Sequence, residues 1–287
     1  MEDQIQAFIE YLATQRRYAP NTLLAYRNDL LQLCQFVQAE RPGIGSWSHV
    51  DSVLLQAYLL QLKSRDYSAA SIARKVAACK SFYFYLLDNR AIVNNPAESL
   101  EAPSVPKHLP RALTEDQVTA LLESASDATP KGARDRAMLE VLYAVGLRVT
   151  ELVTLPIEAL DLSAGTLRIE KGKAERVLAL SPRALAALRL YLEKGRPALH
   201  GPDTGGPLFV NSRGSHLTRQ GVWLILKDYV RRAGIAGEVT PHSLRHAFAA
   251  HRLAQGEQVQ ELQRLLGHAH LSTTLMYNRS REEISGT

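Results

Sequence analysis

Three prolines within ten residues divide this 287-residue chain into two parts. The segment Glu101-Ala-Pro-Ser-Val-Pro-Lys-His-Leu-Pro110 lacks three backbone donors, and each proline disfavours helix at the residue before it. We therefore expect an extended linker at residues 103–112. Because 287 residues exceed what one hydrophobic core usually organises, we expect two domains, at 1–102 and 113–287.

The part before the linker has the apolar periodicity of helices. The spacing predicts four of them, at about 3–15, 22–39, 51–65 and 69–88. Residues that suit an N-cap stand at Asn21, Asp51 and Ser68. The candidate core includes Ile72, Val76, Phe82 and Phe84. This part is predicted to be a small helical bundle without visible enzyme chemistry.

The part after the linker mixes helices with one hairpin. Thr114-Glu-Asp-Gln117 has the form of a capping box, so a helix through Leu122 should follow. A second helix is expected from about Ala133 to Gly146, where glycine can take the left-handed conformation. Alternation predicts a β-hairpin from segments 166–170 and 175–180. Further helices are expected near 183–194, 219–233, 241–255 and 257–266.

Composition narrows the class of protein. The start of the sequence is acidic and polar, and no stretch approaches ~18 uninterrupted apolar residues, so we expect a cytoplasmic protein without membrane association. Cys34 and Cys79 lie in helix-like patterns outside any metal or redox spacing, and both are interpreted as reduced packing residues.

Basic residues exceed acidic ones only beyond the linker. The net charge of +5 indicates an acidic partner without identifying it. Residues 1–105 hold ten basic and ten acidic side chains, and the rest of the chain holds 24 and 19. In the first part, a nucleic-acid patch and ordinary solvated helix faces explain the basic residues equally well. These residues are Arg16, Arg17, Arg27, Lys63, Arg65, Arg74, Lys75 and Lys80.

The densest group of reactive side chains is Thr240-Pro-His-Ser-Leu-Arg-His246. On a helix that starts at Thr240, the side chains of His242, Arg245 and His246 share one face. A histidine pair four residues apart suits zinc, but the arginine between them would repel a cation. A phosphate suits all three, because arginine forms a two-pronged pair with phosphate oxygens and histidine donates or transfers a proton.

Two further segments carry similar chemistry. Gly146-Leu-Arg148 puts an arginine just after a helix-ending glycine, and Tyr277 lies nine positions after the Gly267-His268 corner. Structural alternatives exist for Arg148, as a cap on the preceding helix, and for Tyr277, as a packing aromatic. Lys171, in the turn of the predicted hairpin, has the alternative of a solvated turn residue.

These segments, in this order, resemble the signature boxes of the tyrosine recombinase (phage integrase) family, most closely its Xer-type site-specific recombinases. Asn21-Thr-Leu-x-Ala-Tyr26 and Ala133-Arg-Asp-Arg-Ala-Met-Leu139 add to the resemblance, which covers the whole chain. It implies a mainly α fold with a small β-sheet in the second domain. The two domains would be an N-terminal four-helix SAM-like core-binding domain and an α+β catalytic domain, which together close on DNA as a clamp.

The resemblance also implies a catalytic set, which is Arg148, Lys171, His242, Arg245, His268 and Tyr277. The two arginines would hold the scissile phosphate, Tyr277 would be the nucleophile, the histidines would support, and Lys171 would be the general acid. Lys171 is preferred to Lys173 because the following Glu175-Arg176 fixes the alignment, although the turn reads Glu-Lys-Gly where Xer proteins commonly have Gly-Lys-Gly. Supporting roles are expected for Glu151 and His246, and a surface position is expected for His270.

The implied partner is double-stranded DNA with a specific recombination site, bound by a homo- or hetero-tetramer, with no cofactor or metal and with an accessory DNA translocase as a further partner. A helix at 219–233 would approach the major groove with Arg219, Lys227, Arg231 and Arg232. Asn278-Arg279 stands where Xer proteins usually have Thr-His, so a rearranged tail contact is expected. Chromosome dimer resolution and mobile-element integration both remain open. A type IB topoisomerase, a noncatalytic DNA-binding protein and a zinc hydrolase are the rival classes.

Overall fold

The computed structural model describes residues 1–104, 112–171, 174–201, 205–268, 270–271 and 273–277. The chain forms two compact units, Met1–Lys107 and His108–Thr287. Helices dominate both units, and the second also holds a small sheet, so the predicted fold class is confirmed. Most of the expected linker, at 105–111, lies outside the described residues. In the described part of the chain, each helix is too short or too polar to cross a bilayer.

The first unit contains the four predicted helices. They are α1 (Glu2–Thr14), α2 (Pro20–Glu40), α3 (Ser52–Ser64) and α4 (Ala69–Asp88). Asp51 and Ser68 cap α3 and α4 as predicted, by accepting backbone N–H bonds at 2.8 and 3.2 Å. The predicted N-cap at Asn21 is wrong. The helix already begins at Pro20, because proline fits the first helical position, where its missing N–H is not needed.

Aromatic side chains form the centre of the first unit. Phe8 and Trp47 both meet Phe82 edge to face, with ring centroids 5.4 and 5.1 Å apart. The two predicted core cysteines are free and buried. Phe84 is 61% exposed, so its prediction as a core residue is wrong. A helix turns by about 200° over two residues, which places Phe84 on the face opposite Phe82.

Of the residues considered for a nucleic-acid patch, Lys75 is buried in the first unit, whereas the side chain of Arg74 stays 42% exposed. Lys75, 7% exposed, donates from Nζ to Asp29 Oδ1 at 2.8 Å and to Gln32 at 2.5 Å. Arg74 pairs with the other oxygen of Asp29, which is 4% exposed. Since a buried charge needs a partner, this network ties α2 to α4.

Replacing Asp29 by asparagine is expected to lower the free energy of unfolding by about 3–5 kcal/mol, because it leaves the Lys75 ammonium buried without a counter-charge. Chemical denaturation of the full chain at pH 7 measures the change. Arg41→Gln is the matched control, since it breaks an ion pair whose side chains are 44% and 48% exposed. That variant should lose no more than about 1 kcal/mol. Equal losses in the two variants would contradict a buried ionic network.

The second unit begins with the helices that carry its core. These are α5 (Glu115–Glu123), α6 (Pro130–Val145) and the short α7 (Val149–Val153). The capping box of Thr114 and Gln117 is present as predicted. Helix α6 starts three residues before the predicted Ala133, because Thr129 caps it and Pro130 fits its first position. It ends at Gly146, with a left-handed φ of 58°, as predicted.

The sheet has three antiparallel strands, β1 (Leu160–Asp161), β2 (Thr166–Lys171) and β3 (Ala174–Ala179). The hairpin of β2 and β3 was predicted. Strand β1 was not, because two residues show no alternation. The backbone of Lys171 pairs with Ala174 at the end of the hairpin, while the Lys171 side chain and residues 172–173 lie outside the described part.

The remaining helices follow the sheet. They are α8 (Pro182–Leu190), continued by a π-helical turn into α9 (Arg196–His200), then α10 (Arg219–Arg232), α11 (Pro241–Ala254) and α12 (Val259–Leu266). Helix α12 ends at Gly267, whose φ of 61° reverses the chain. Residues 273–277 form a further helical segment. The end of α6, the end of α12 and the start of α11 lie close to one another.

Candidate active site

Arg245 is fixed at the junction of three elements. Its Nη1 donates to the carbonyl of Gly146 at 2.5 Å, and its Nη2 donates to the carbonyl of Leu266 at 2.7 Å. These carbonyls belong to the ends of α6 and α12, where helices leave acceptors without intrahelical partners. Nη2 also donates to Nε2 of His268 at 2.9 Å. These hydrogen bonds hold the buried guanidinium in place, and they also give the two carbonyls and His268 the donor that each needs.

Arg148 reaches the same region from the start of α7. Its Nη2 donates to the carbonyl of Gly267 at 3.1 Å, and its Nη1 to Glu151 at 3.0 Å. The alternative role for Arg148 was a cap on the end of α6. Arg245 fills that role instead, because it donates to the carbonyl of Gly146. Glu151 also accepts the backbone N–H of Arg148 at 2.8 Å, which agrees with the predicted supporting role. Hydrogen bonds from Arg148 and Arg176 lower the pKa of this carboxyl against the effect of burial, so it is ionised at pH 7.

His268 is a neutral histidine with a defined tautomer. Arginine can only donate, so Nε2 of His268 accepts from Arg245. Nδ1 then carries the proton and donates to the hydroxyl of Thr274 at 2.9 Å. Burial and the neighbouring Arg245 lower the pKa of His268 to about 4.

Tyr277 lies within this cluster and is 3% exposed. Its ring packs edge to face on His246, with centroids 4.7 Å apart, and lies nearly parallel to His268 at 5.9 Å. His242 is exposed at the start of α11, with its ring 6.5 Å from that of His246. His270 is exposed, as predicted.

Five of the six predicted site residues line one pocket of about 430 Å³; they are Arg148, His242, Arg245, His268 and Tyr277. His246 lines it as well. The sixth, Lys171, is described only in its backbone, at the end of β2. Burial and then Arg148 lower the pKa of Arg245 to about 10, so the guanidinium stays protonated at pH 7. Two fixed guanidiniums beside neutral imidazoles make the pocket suited to a phosphate.

Comparison with known proteins identifies the family. Residues 111–283 match the phage integrase family, and residues 5–90 match the phage integrase N-terminal SAM-like domain. Tyrosine recombinase XerC of Herpetosiphon aurantiacus is 46% identical over 281 residues, which cover 96% of this chain and 90% of that protein. The chain belongs to the phage integrase family. Tyrosine recombinase XerD of Listeria monocytogenes is also similar, at 38% identity over 96% of this chain and 94% of that protein.

A solved structure of the family has the same fold. XerH bound to its difH substrate matches with a TM-score of 0.70 at 23% identity, covering 100% of this chain and 84% of that chain. Together with the XerC and XerD relatives, the family match makes this chain an Xer-like site-specific tyrosine recombinase, an enzyme that breaks and rejoins DNA.

Sequence reasoning missed two contributors to this phage integrase site. Arg176 donates to Glu151 at 2.9 Å, and the hydroxyl of Thr274 accepts from Nδ1 of His268 at 2.9 Å. A signal for Arg176 was present. It lies two residues before the buried Leu178 on β3, so both side chains are on the inner face of the strand. Such a placement indicates an internal ion pair. The sequence held no comparable signal for Thr274, because its contact with His268 depends on how the chain folds back after Gly267.

Acid should destabilise the protein through His246. Burial, and then His242, lower the pKa of His246 to about 4. The unfolded chain therefore binds a proton near pH 6.5 while the folded chain does not, so stability is full above pH 6.5 and falls as the pH drops toward 4. His246→Phe keeps an aromatic ring and should remove roughly 3 kcal/mol of this loss at pH 4. Urea denaturation of both proteins at pH 7.5 and pH 4 tests it; identical pH dependence would show that His246 is not held neutral.

Proposed function

We propose that Tyr277 attacks a DNA phosphodiester held by Arg148 and Arg245. The observation that carries the proposal is the convergence of these three side chains on one pocket, although they come from α7, α11 and the segment 273–277. Attack on phosphorus builds negative charge on the nonbridging oxygens. Fixed guanidiniums stabilise this charge more in the transition state than in the ground state.

The proposed step exchanges one bond to phosphorus for another. The Tyr277 oxygen forms a bond to phosphorus, and the bond from phosphorus to the 5′ oxygen breaks, which leaves a 3′-phosphotyrosine and a free 5′ hydroxyl. The phenolic proton passes to His242, whose pKa is lowered by partial burial and by Arg245, so that it is neutral and able to accept. Lys171 supplies the proton that the departing 5′ oxygen needs. The 5′ hydroxyl of another strand then reverses the reaction without ATP.

His268 has a supporting role in this proposal. Its Nε2 already accepts from Arg245, so it orients the guanidinium rather than accepting a further proton. Glu151 does the same for Arg148. The phosphate is thereby met by donors whose positions are set before DNA binds.

The proposed partner is duplex DNA bearing a recombination site, because the relative XerH is bound to difH in its solved structure. Strand exchange joins two duplexes, so a tetramer on DNA is the proposed working form. The proposed location is the cytoplasm. The first unit is the proposed core-binding domain, and resolution of chromosome dimers is the proposed role, by similarity to XerC and XerD. In α10, the proposed contacts with DNA are Arg219, Lys227, Arg231 and Arg232; the pairs of the last two with Asp228 leave their side chains 81% and 56% exposed.

A nicked suicide substrate tests the chemistry. A nick next to the scissile phosphate lets the short 5′-hydroxyl fragment diffuse away, so the covalent intermediate accumulates and is seen by denaturing electrophoresis. The site itself is obtained by selecting genomic fragments that the full chain retains. Relaxation of a supercoiled plasmid without exchange between two sites would favour a topoisomerase instead.

A further inference from the structure

Arg176 joins the hairpin of β2 and β3 to the pocket. It lies on β3, five residues after Lys171, and pairs in register with Ile169. Its Nη2 donates to Oε2 of Glu151 at 2.9 Å, the same oxygen that accepts the backbone N–H of Arg148 at 2.8 Å. One ionised carboxylate therefore connects the hairpin with the first phosphate-binding arginine.

The same guanidinium also packs against the corner that precedes His268. A Cβ added to Gly267 would lie 2.5 Å from Nη1 of Arg176, so the arginine occupies the space that glycine leaves open. The carbonyl of Gly267 in turn accepts from Arg148. Arg176 thus contacts both Glu151 and Gly267, the two residues that accept hydrogen bonds from the guanidinium of Arg148.

The position of Arg176 suits a link better than direct contact with a phosphate. Its side chain is 14% exposed, and it is absent from the described residues that line the pocket. Its Nε is buried and lacks a hydrogen-bond partner within the described residues. An unsatisfied buried donor costs about 1–3 kcal/mol, so Arg176 is placed by its ion pair with Glu151 and not by full satisfaction of its own donors.

We propose that Arg176 is a positioning residue that sets the hairpin bearing the general acid against the Arg148 phosphate clamp. The inference rests on the proposed function of Lys171 as the acid. Among the described residues, the other ion pair of the hairpin, Arg168 with Glu175, joins its two strands to each other and is more than half exposed on both sides. Without the link through Glu151, the Lys171 end of β2 would shift relative to Arg148, and Lys171 would be misplaced for donation of a proton to the departing oxygen.

The test compares two leaving groups in one active site. A normal suicide substrate needs a proton on its 5′ oxygen, whereas a substrate with sulfur at the 5′ bridging position releases a thiolate, whose ordinary pKa near ~8.5 makes that proton dispensable. Arg176→Gln is expected to slow cleavage of the oxygen substrate about 100-fold at saturating DNA. On the sulfur substrate the loss should be within about threefold. Arg176→Lys, which keeps the charge, should recover part of the rate on the oxygen substrate.

Arg168→Gln is the matched control, because it removes a guanidinium from the same hairpin at a site that is 60% exposed. It should leave both rates within about twofold of wild type. Equal losses of Arg176→Gln on both substrates would overturn the proposal, since Arg176 would then act on the clamp or on folding. No loss on either substrate would also overturn it. A different result would show that Lys171 is not the general acid: Lys171→Ala would then slow cleavage of the oxygen and sulfur substrates by the same factor. That result does not depend on how Arg176→Gln affects the two substrates.

Discussion

Tyr277→Phe is expected to abolish the covalent DNA adduct while DNA binding is retained. Phenylalanine keeps the ring that packs on His246 at 4.7 Å and on His268 at 5.9 Å, so the buried segment should stay in place. It removes only the phenolic oxygen, which is the proposed nucleophile. Loss of a nucleophile that acts with its neighbours as a unit should lower the cleavage rate at least about 10⁴-fold. Denaturing electrophoresis on the nicked substrate measures the adduct, and a mobility-shift titration measures binding.

Tyr143→Phe is the matched control for this experiment. Its hydroxyl bonds to Nδ1 of His251 at 2.9 Å, and it packs near the same apolar cluster as Tyr277 but does not line the pocket. The identical chemical change at Tyr143 should leave the adduct intact. An adduct formed by Tyr277→Phe at the wild-type rate would eliminate Tyr277 as the nucleophile.

Arg245→Lys is expected to slow cleavage about 10³-fold at saturating DNA and also to destabilise the protein. A lysine ammonium is a point donor, so it cannot bond to the carbonyls of Gly146 and Leu266, orient His268 and still face a phosphate. Loss of one fixed donor to a developing oxyanion commonly costs about 10²–10³ in rate. Single-turnover cleavage measures the chemical effect, and thermal unfolding measures the structural one.

Arg252→Lys is a suitable control, because it lies on the same helix, is exposed and pairs with Glu257. It should change neither the rate nor the stability by much. If Arg245→Lys retained a rate within tenfold of wild type, the guanidinium would be a structural cap for two helix ends and not part of the phosphate clamp. A normal melting temperature with a large rate loss would assign the effect to the chemistry.

Most of the fold was predictable because its signals are local. The helices of both units follow apolar residues at three- and four-residue spacing, and Asp51, Ser68 and Thr114 cap them through bonds that span three residues. The errors have two causes. Asn21 and Ala133 were placed too late because proline begins α2 and α6, and Phe84 was placed in the core by composition although its helix faces it outward.

The sequence by itself indicated a phosphate site at His242, Arg245 and His246 from their spacing, and its resemblance to the tyrosine recombinase family added Arg148, His268 and Tyr277. Only the tertiary structure decided how these groups are held. Arg245 finds its carbonyls 99 and 21 residues away, and Arg176 meets Glu151 across 25 residues. Periodicity reports contacts within a few residues, whereas these bonds form because chain reversals at Gly146 and Gly267 bring distant helix ends together.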